Sequence, residues 1–353
     1  MVKLGAHDYV QTLRGQTLRL PNLDLPMKNW PKGVSPHYED LRDVQHIELK
    51  KIMGGEGLAY DVRVSTDCPY LAATWYPDAR WDGLRLASQV ATFLFLFDDD
   101  TDNPQLTDLV HNLDAAKKYR EDGRKLFERY LADEPLLNGS TQSPLSPTLM
   151  SIVPIGETVA FRMTGEQRAA VLAEVNKYID ACEAEQLSEL SGRAPTIDEY
   201  LKCRMPASAT GFLLACLEYI VGIDLGDTIR NDEYVREIFD ATVCIGAIMN
   251  DLFSLKKELR YPFYNNAVAV LYHEHQDLQT AVDETYRIIL RSIGKLEAAA
   301  TLALERYPAR REDLTKWIDG CKSMCTGNIA WSLQIARYAL QVPNLDGTTE
   351  III

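Results

Sequence analysis

The chain has 353 residues, 46% of them hydrophobic, which is enough apolar material for one large domain or two ordinary ones. It carries 51 acidic and 37 basic residues, a formal net charge of −14 at neutral pH. This excess of negative charge disfavours nucleic acid or an anionic membrane surface as a partner.

The first predicted element is an extended arm, and helices follow it. Residues 1–35 are rich in Pro and Leu, so we expect an N-terminal arm packed on the body. From residue 36 onward apolar residues recur with helical spacing, and patterns typical of strands and hairpins are nearly absent. The fold class is therefore all-α, a helical bundle. Its predicted helices span residues 37–53, 68–76, 79–101, 105–132, 146–161, 165–190, 197–222, 229–258, 277–306 and 309–341.

A loop rich in Ser, Pro and Gly, residues 134–147, is the one candidate for a domain boundary. Two acidic motifs lie on opposite sides of this loop, and both would have to contribute to one site. We therefore predict a single helical catalytic domain over residues 36–353.

The first acidic motif ends the predicted helix 79–101 and contains Asp98, Asp99, Asp100 and Asp102. Asp98 and Asp102 are four residues apart, so on a helix they share one face. A solvated helix end could carry the same acids, but the preceding run is hydrophobic nearly all round and therefore buried. Carboxylates that end a buried helix indicate a Mg²⁺ site. Asp99 or Asp100 could share the metal role.

The second motif places Asn250, Ser254 and Glu258 at every fourth position, so the three side chains line one helix face. All three offer oxygen donors, which suit Mg²⁺. Lys256 and Lys257 lie beside them and could meet a phosphate. An ordinary polar stripe would look alike, but this one follows an apolar, buried run. Together the two motifs predict a diphosphate site between helices.

These motifs, in this order, resemble the aspartate-rich DDxxD and the NDxxSxxxE motifs of class I terpene synthases. Arg204, 46 positions before Asn250, is similar to the diphosphate-sensing arginine of that family. Arg337 and Tyr338 resemble its terminal RY pair. The similarity covers essentially the whole chain and is strongest to the single-domain, fungal-type sesquiterpene cyclases. It implies a class I terpenoid synthase helical bundle around an apolar active-site cavity.

The resemblance also implies roles for individual residues. Asp98 would bridge two Mg²⁺ ions, and Asp102 would assist through water or a cation. Asn250, Ser254 and Glu258 would hold a third Mg²⁺, so three ions are expected. Hydrogen bonds to the diphosphate would come from Arg204, Lys257, Arg337 and Tyr338.

The sequence departs from many relatives just after Arg204. There the family has a small polar linker and then a glycine effector, whereas this chain has Ala207 and Ser208, with Gly211 only later. Pro206 predicts a helix break at this point, which would free a carbonyl to face the substrate.

Aromatic faces can stabilise carbocations, so some aromatic residues should line the pocket. Phe95 lies on the helix face of Asp98, and Trp331 lies on nearly the same face as the RY pair. We expect Phe95 and Trp331 in the pocket, and Phe93, Phe97 and Trp75 in the structural core.

The expected activity is Mg²⁺-dependent cyclisation of a linear prenyl diphosphate to a hydrocarbon or alcohol with release of diphosphate. Farnesyl diphosphate is the first choice of substrate, and geranylgeranyl diphosphate, used by a diterpene cyclase, is the alternative. A chain-elongating prenyltransferase would need a second DDxxD in place of the second motif. A non-catalytic helical binding protein would carry the acidic patches as solvated faces.

The remaining features indicate a soluble, cytoplasmic protein. The seven cysteines are scattered without metal-site spacing, which fits a reducing compartment. Residues 1–15 contain no apolar signal segment, and the apolar runs at 86–97 and 211–223 are too short to span a bilayer, so we expect no stable membrane insertion. Family resemblance suggests a homodimer.

Overall fold

The computed structural model describes residues 12–102, 107, 109–132, 146–259, 265–338, 340 and 342–353, with the side chains of residues 58, 59 and 102 excepted. The first eleven residues of the predicted arm and most of the predicted loop 134–147 lie outside these ranges.

The described residues form 16 α-helices and two short strands, together with 3₁₀ turns at Leu25–Met27, Leu109–His111 and Pro308–Arg310. The helices are α1 Tyr38–Ile52, α2 Leu58–Val64, α3 Cys68–Trp75, α4 Trp81–Asp102, α5 Leu113–Leu131, α6 Pro147–Met150, α7 Ile152–Arg162, α8 Gly165–Ser191, α9 Ile197–Ala207, α10 Thr210–Ala215, α11 Leu217–Val221, α12 Asp227–Arg230, α13 Glu233–Glu258, α14 Ala267–His275, α15 Leu278–Arg306 and α16 Arg311–Gln334. The strands are β1 Thr17–Leu20 and β2 Thr349–Ile352. The prediction of an all-α fold is confirmed.

Several predicted helix bounds are wrong because capping residues interrupt the apolar pattern. The predicted helix 105–132 begins only at Leu113, where the Asn112 side chain accepts a hydrogen bond from the Ala115 amide. The predicted helix 229–258 is divided into α12 and α13, and Asp232 caps α13. The predicted helix 146–161 is divided into α6 and α7, and the helices α2 and α14 were not predicted.

The predicted helix 197–222 consists of three shorter helices, α9, α10 and α11. Pro206 lies in the last turn of α9, which ends at the next residue, so the predicted break is present. Ala209 then has a φ of 57°, a left-handed conformation that L-residues seldom adopt, and α10 restarts the chain in a new direction.

The arm and the C-terminal tail pair as a two-stranded antiparallel sheet, which the sequence analysis did not predict. Leu18 lies opposite Ile351, and both side chains are buried. Leu20 is buried as well, so the sheet covers the hydrophobic core with one face. Side-chain alternation over four residues is too short a signal to recognise against a helical background.

Helix α13 is the central element, and it packs most extensively against α15 and α16. By length and composition it could cross a membrane, but 78% of its most apolar stretch is buried inside the fold. The core helix of a soluble protein can meet the same criteria of length and composition, and it is then mostly buried, as α13 is. The polar residues at the C-terminal ends of α13 and α4 lie at the edge of this core.

We expect the β1–β2 sheet to contribute measurably to stability. Ile351→Ala should lower the free energy of unfolding by about 2–4 kcal/mol, because it opens a cavity between the tail and the core. Ile352→Ala is the matched control, since that side chain is 54% exposed and points to the other face. Urea titrations followed by circular dichroism would measure both. Equal losses in the two variants would contradict the predicted role of the buried face.

Candidate functional site

A cavity of about 110 Å³ lies between α3, α4, α8, α9, α10, α13 and α16, together with the linker that joins α9 to α10. Its walls are mainly apolar, and its polar residues include Asp98, Arg204, Asn250 and Asn328. An apolar cavity with a few convergent polar groups is the usual form of a small-molecule site.

Three consecutive aspartates of α4 have three different environments. Asp98 lines the cavity, and its carboxylate makes no hydrogen bond or ion pair with any residue that the structure describes. Asp99 is buried and accepts a 3.1 Å hydrogen bond from Arg337. Asp100 accepts a hydrogen bond from Tyr119 at 2.9 Å and faces Arg63 at 3.4 Å.

These contacts bear on which aspartate faces a ligand. Arg337 pairs with Asp99 Oδ1, although the buried Asp99 Oδ2 has no partner among the described residues, and Tyr119 and Arg63 contact Asp100. Both carboxylate oxygens of Asp98 remain available. The second predicted metal residue of this motif, Asp102, ends α4, and its side chain is not described.

Asn250, Ser254 and Glu258 share one face of α13 as predicted, and each keeps an oxygen lone pair for a ligand. Asn250 Oδ1 accepts from Arg204 at 2.8 Å, which leaves its second lone pair. Ser254 Oγ donates to the Asn250 carbonyl at 2.7 Å and has both lone pairs unused. Glu258 Oε2 accepts from Asn266 Nδ2 at 2.8 Å. Burial, reinforced by the charge of Asp251, raises the pKa of Glu258.

This donor set fits Mg²⁺. The carboxylates, amide and hydroxyl are hard oxygen donors, and the raised pKa of Glu258 shows that a nearby cation would relieve its desolvated charge. Among the described residues, no group of three or more His, Cys, Asp or Glu side chains converges.

A buried carboxylate beside the motif, Asp251, orders the site and was missed as a functional residue. It is fully buried and accepts hydrogen bonds from the Tyr200 hydroxyl at 2.7 Å, from Arg204 Nε at 2.8 Å and from the Ala267 amide at 3.0 Å. Arg204 therefore contacts both Asp251 and Asn250. The signal for Asp251 in the sequence was its position on the apolar face of α13.

The predicted diphosphate-binding cations occupy the same region. Burial, followed by the positive charge of Arg337, lowers the pKa of Lys257. Lys257 has no hydrogen bond or ion pair within the described ranges, so its ammonium is available to an anion. Tyr338 accepts from Asn250 Nδ2 at 2.7 Å, so its own phenolic hydrogen remains available.

Glu185 of α8 is a further acid near the site that the sequence did not indicate. Burial raises its pKa to about 8, and Arg204 opposes the rise while Glu189 and Asp98 add to it. The acidic groups near Arg204 therefore repel one another in the absence of a cation.

Phe95 and Trp331 both line the cavity, as expected. Their ring centroids lie 5.6 Å apart, and the Trp331 indole donates to the Thr66 carbonyl at 2.8 Å, which fixes the ring. Trp75 is buried in the hydrophobic core, as predicted, and it also lines the cavity, which was not expected. The fully buried Phe97 belongs to the core, as predicted.

Comparisons with known proteins agree with this arrangement. Residues 89–295 match the family model described as terpene synthase family 2, C-terminal metal binding. The chain is 27% identical to sesquiterpene cyclase hepA of Aspergillus oryzae over 97% of this chain and 95% of that protein. It is 26% identical to germacrene A synthase of Nostoc punctiforme over 76% of this chain and 80% of the relative.

Solved structures with the same fold include an α-eudesmol synthase, with a TM-score of 0.73 and 21% identity over 86% of this chain and 97% of the other. Another is the linalool/nerolidol synthase of Streptomyces clavuligerus in complex with 2-fluorogeranyl diphosphate, with a TM-score of 0.73 and 19% identity over 85% of this chain and all of the other. The family match covers more than half of the chain and both acidic motifs, and the protein therefore belongs to terpene synthase family 2.

Proposed function

We propose that the protein is a Mg²⁺-dependent class I terpene cyclase, a carbon–oxygen lyase that ionises farnesyl diphosphate and cyclises it to a sesquiterpene. The observation that carries this proposal is the available Asp98 carboxylate in one apolar cavity with Asn250 and Arg204. The relatives named above are a sesquiterpene cyclase and a germacrene A synthase, and one structural neighbour holds a prenyl diphosphate analogue.

The metal would be held by Asp98, with Asp102 assisting, and by Asn250, Ser254 and Glu258, and we expect three ions. Bound Mg²⁺ would neutralise the negative charge that develops on the departing diphosphate. The negative charges of Glu258 and Asp98 would make the binding of a cation at this site more favourable than the binding of a neutral water molecule.

Arg204, Lys257, Arg337 and Tyr338 would bind the diphosphate oxygens. The guanidinium groups suit forked contacts with phosphate, and the desolvated ammonium of Lys257 gains most from an anionic partner. Arg337 is held by Asp99 on one side and lies 5.2 Å from the centre of the Phe95 ring. Arg337 thereby contacts both the acidic motif and an aromatic residue of the apolar wall, which supports its proposed role.

The aromatic walls would protect and orient the carbocations. Phe95, Trp331 and Trp75 present π-systems to the cavity, and their quadrupoles attract positive charge. The apolar lining also limits access of bulk water, which would otherwise quench the first cation formed.

Chain elongation is disfavoured because α13 carries the amide, hydroxyl and carboxylate set where a prenyltransferase would need a second DDxxD. We further propose a soluble, cytoplasmic enzyme without stable membrane insertion. The homodimer expected from the resemblance stays a prediction.

The reaction class is tested by incubating the purified protein with geranyl, farnesyl and geranylgeranyl diphosphates, with Mg²⁺ or with EDTA. Diphosphate release and GC–MS of the organic products are measured together. We expect Mg²⁺-dependent cyclic products from farnesyl diphosphate. Cyclic products from geranylgeranyl diphosphate alone would instead identify a diterpene cyclase, and no release of diphosphate would contradict the proposal.

The metal assignment predicts different effects for two neighbouring aspartates. Asp98→Asn should lower turnover by roughly a hundredfold or more, because it removes a charged ligand from the cavity. Asp100→Asn is the matched control, since that carboxylate bonds Tyr119 instead.

Binding provides a second measurement for the same pair of variants. Mg²⁺ with diphosphate should raise the melting temperature of the wild type and of Asp100→Asn, but much less that of Asp98→Asn. Equal stabilisation of all three proteins would exclude Asp98 as a ligand.

Replacement of Trp331 should change the products more than the binding of diphosphate. Trp331→Ala removes a fixed aromatic wall, so we expect acyclic or differently cyclised products in GC–MS with a KM changed by less than about fivefold. Phe93→Leu is the control, because that buried ring does not line the cavity. An unchanged product profile would place Trp331 in a purely structural role.

A further inference from the structure

The lining of the cavity includes a side chain with a hydrogen-bond acceptor to which none of the described residues donates. Asn328 of α16 is 3% exposed, lines the cavity, and donates from Nδ2 to the Gly246 carbonyl at 3.3 Å. Because a carbonyl oxygen only accepts, this contact fixes the orientation of the amide. The other amide atom, Oδ1, accepts no hydrogen bond from any residue in the described part of the chain.

Thr210, the first residue of α10, offers a second acceptor to the cavity. The Ser208 hydroxyl donates its hydrogen to the Met205 carbonyl at 2.8 Å. The same hydroxyl also lies 3.1 Å from Thr210 Oγ1, which accepts the longer branch of this hydrogen bond. Thr210 Oγ1 keeps a second lone pair, and Thr210 lines the cavity.

Both acceptors flank the same glycine. A Cβ added at Gly246 would lie 3.3 Å from Thr210 Oγ1, and the Gly246 carbonyl already bonds Asn328. The absence of a side chain at Gly246 thus lets Thr210 approach α13 closely, since a Cβ would also lie only 3.1 Å from Thr210 Cγ2. Gly246 lies one helical turn before Asn250, about 6 Å farther from the end of α13 that carries the metal-ligand motif.

The hydrocarbon part of a prenyl diphosphate cannot satisfy these acceptors, because it has no hydrogen-bond donor. A water molecule has two, and it needs only about 15 Å³ of a cavity of about 110 Å³. We propose that Asn328 Oδ1 and Thr210 Oγ1 hold one water molecule in the active-site cavity, and that this water captures a carbocation so that the product is a terpene alcohol. The inference rests on the proposed function.

The orientation of this water follows from its partners. With both hydrogens donated, its oxygen lone pairs face the apolar part of the cavity, where the cyclic cation forms. The lone pair makes a new C–O bond to the cationic carbon, and the surplus proton passes to the diphosphate that ionisation released. No oxidant or reductant is needed. Asn328 and Thr210 act through the water and are positioning residues.

Turnover of the wild-type protein in ¹⁸O-labelled water tests the inference directly. We expect an alcohol that carries the label in GC–MS, with diphosphate release measured in the same sample. Diphosphate release with unlabelled hydrocarbons alone would overturn the water site and leave the proposed function intact. No diphosphate release would overturn both.

Variants test the two positions. Thr210→Val removes the hydroxyl at nearly constant shape, and Thr210→Ser, the matched control, retains it. We expect the ratio of alcohol to hydrocarbon to fall about tenfold in Thr210→Val and in Asn328→Leu, the effect of losing one hydrogen bond to the water. Thr210→Ser should keep the wild-type ratio.

A merely structural role would change the rate and leave this ratio unaltered. An unaltered ratio in Thr210→Val would therefore overturn the inference. If Asn328→Leu fails to fold, as judged by circular dichroism, the Val and Ser pair at position 210 decides the question.

Discussion

The buried carboxylate of Asp251 organises the site, because three helices meet at this one charge. Its partners come from α9 through Tyr200 and Arg204, and from the first turn of α14 through the Ala267 amide. A desolvated carboxylate must find such donors, since removing one partner of a buried charge pair costs about 3–5 kcal/mol. Satisfying Asp251 therefore fixes α9 and α14 against the last turns of α13.

The ion pair between Asp251 and Arg204 also links the other polar groups of the site. Arg204 uses Nε for Asp251 and Nη2 for Asn250, so one guanidinium joins the structural charge to the metal-ligand motif. Asn250 in turn donates to Tyr338, which follows α16. A ligand that displaces Arg204 from Asn250 would therefore alter contacts of α9, of α13 and of the segment after α16, while Asp251 would remain paired with Tyr200.

Helical spacing predicted the ligand faces well, because it is a local property. Residues four apart on α13 share a face wherever that helix packs, so Asn250, Ser254 and Glu258 could be grouped from the sequence. The different environments of Asp98 and Asp99 could not be predicted from the sequence. Successive residues of a helix are rotated by about 100°, so these two side chains meet neighbours that only the assembled bundle supplies.

Trp75 shows the same limit for the cavity wall. A Cβ at Gly327 of α16 would lie 2.4 Å from the Thr74 carbonyl oxygen, so the absence of a side chain there lets α16 touch the end of α3. This close approach helps to place Trp75 beside the cavity. The sequence contains the glycine but not the partner it approaches, and an apolar helix end was naturally assigned to the core.

The arm and the tail, at the two ends of the described chain, also help to hold the last turn of α13 in place. The guanidinium of Arg14 donates from Nε and Nη2 to the carbonyl of Leu259, which directly follows the proposed metal ligand Glu258. Gly15 and Gln16 exchange backbone hydrogen bonds with Ile353, so the register of the β1–β2 sheet sets the position of Arg14. The positive charge of Arg14 near the C-terminal end of α13 also interacts favourably with the negative end of the helix dipole. The sheet therefore stabilises the last turn of α13, the helix with the proposed metal ligands, although none of the sheet residues lines the cavity.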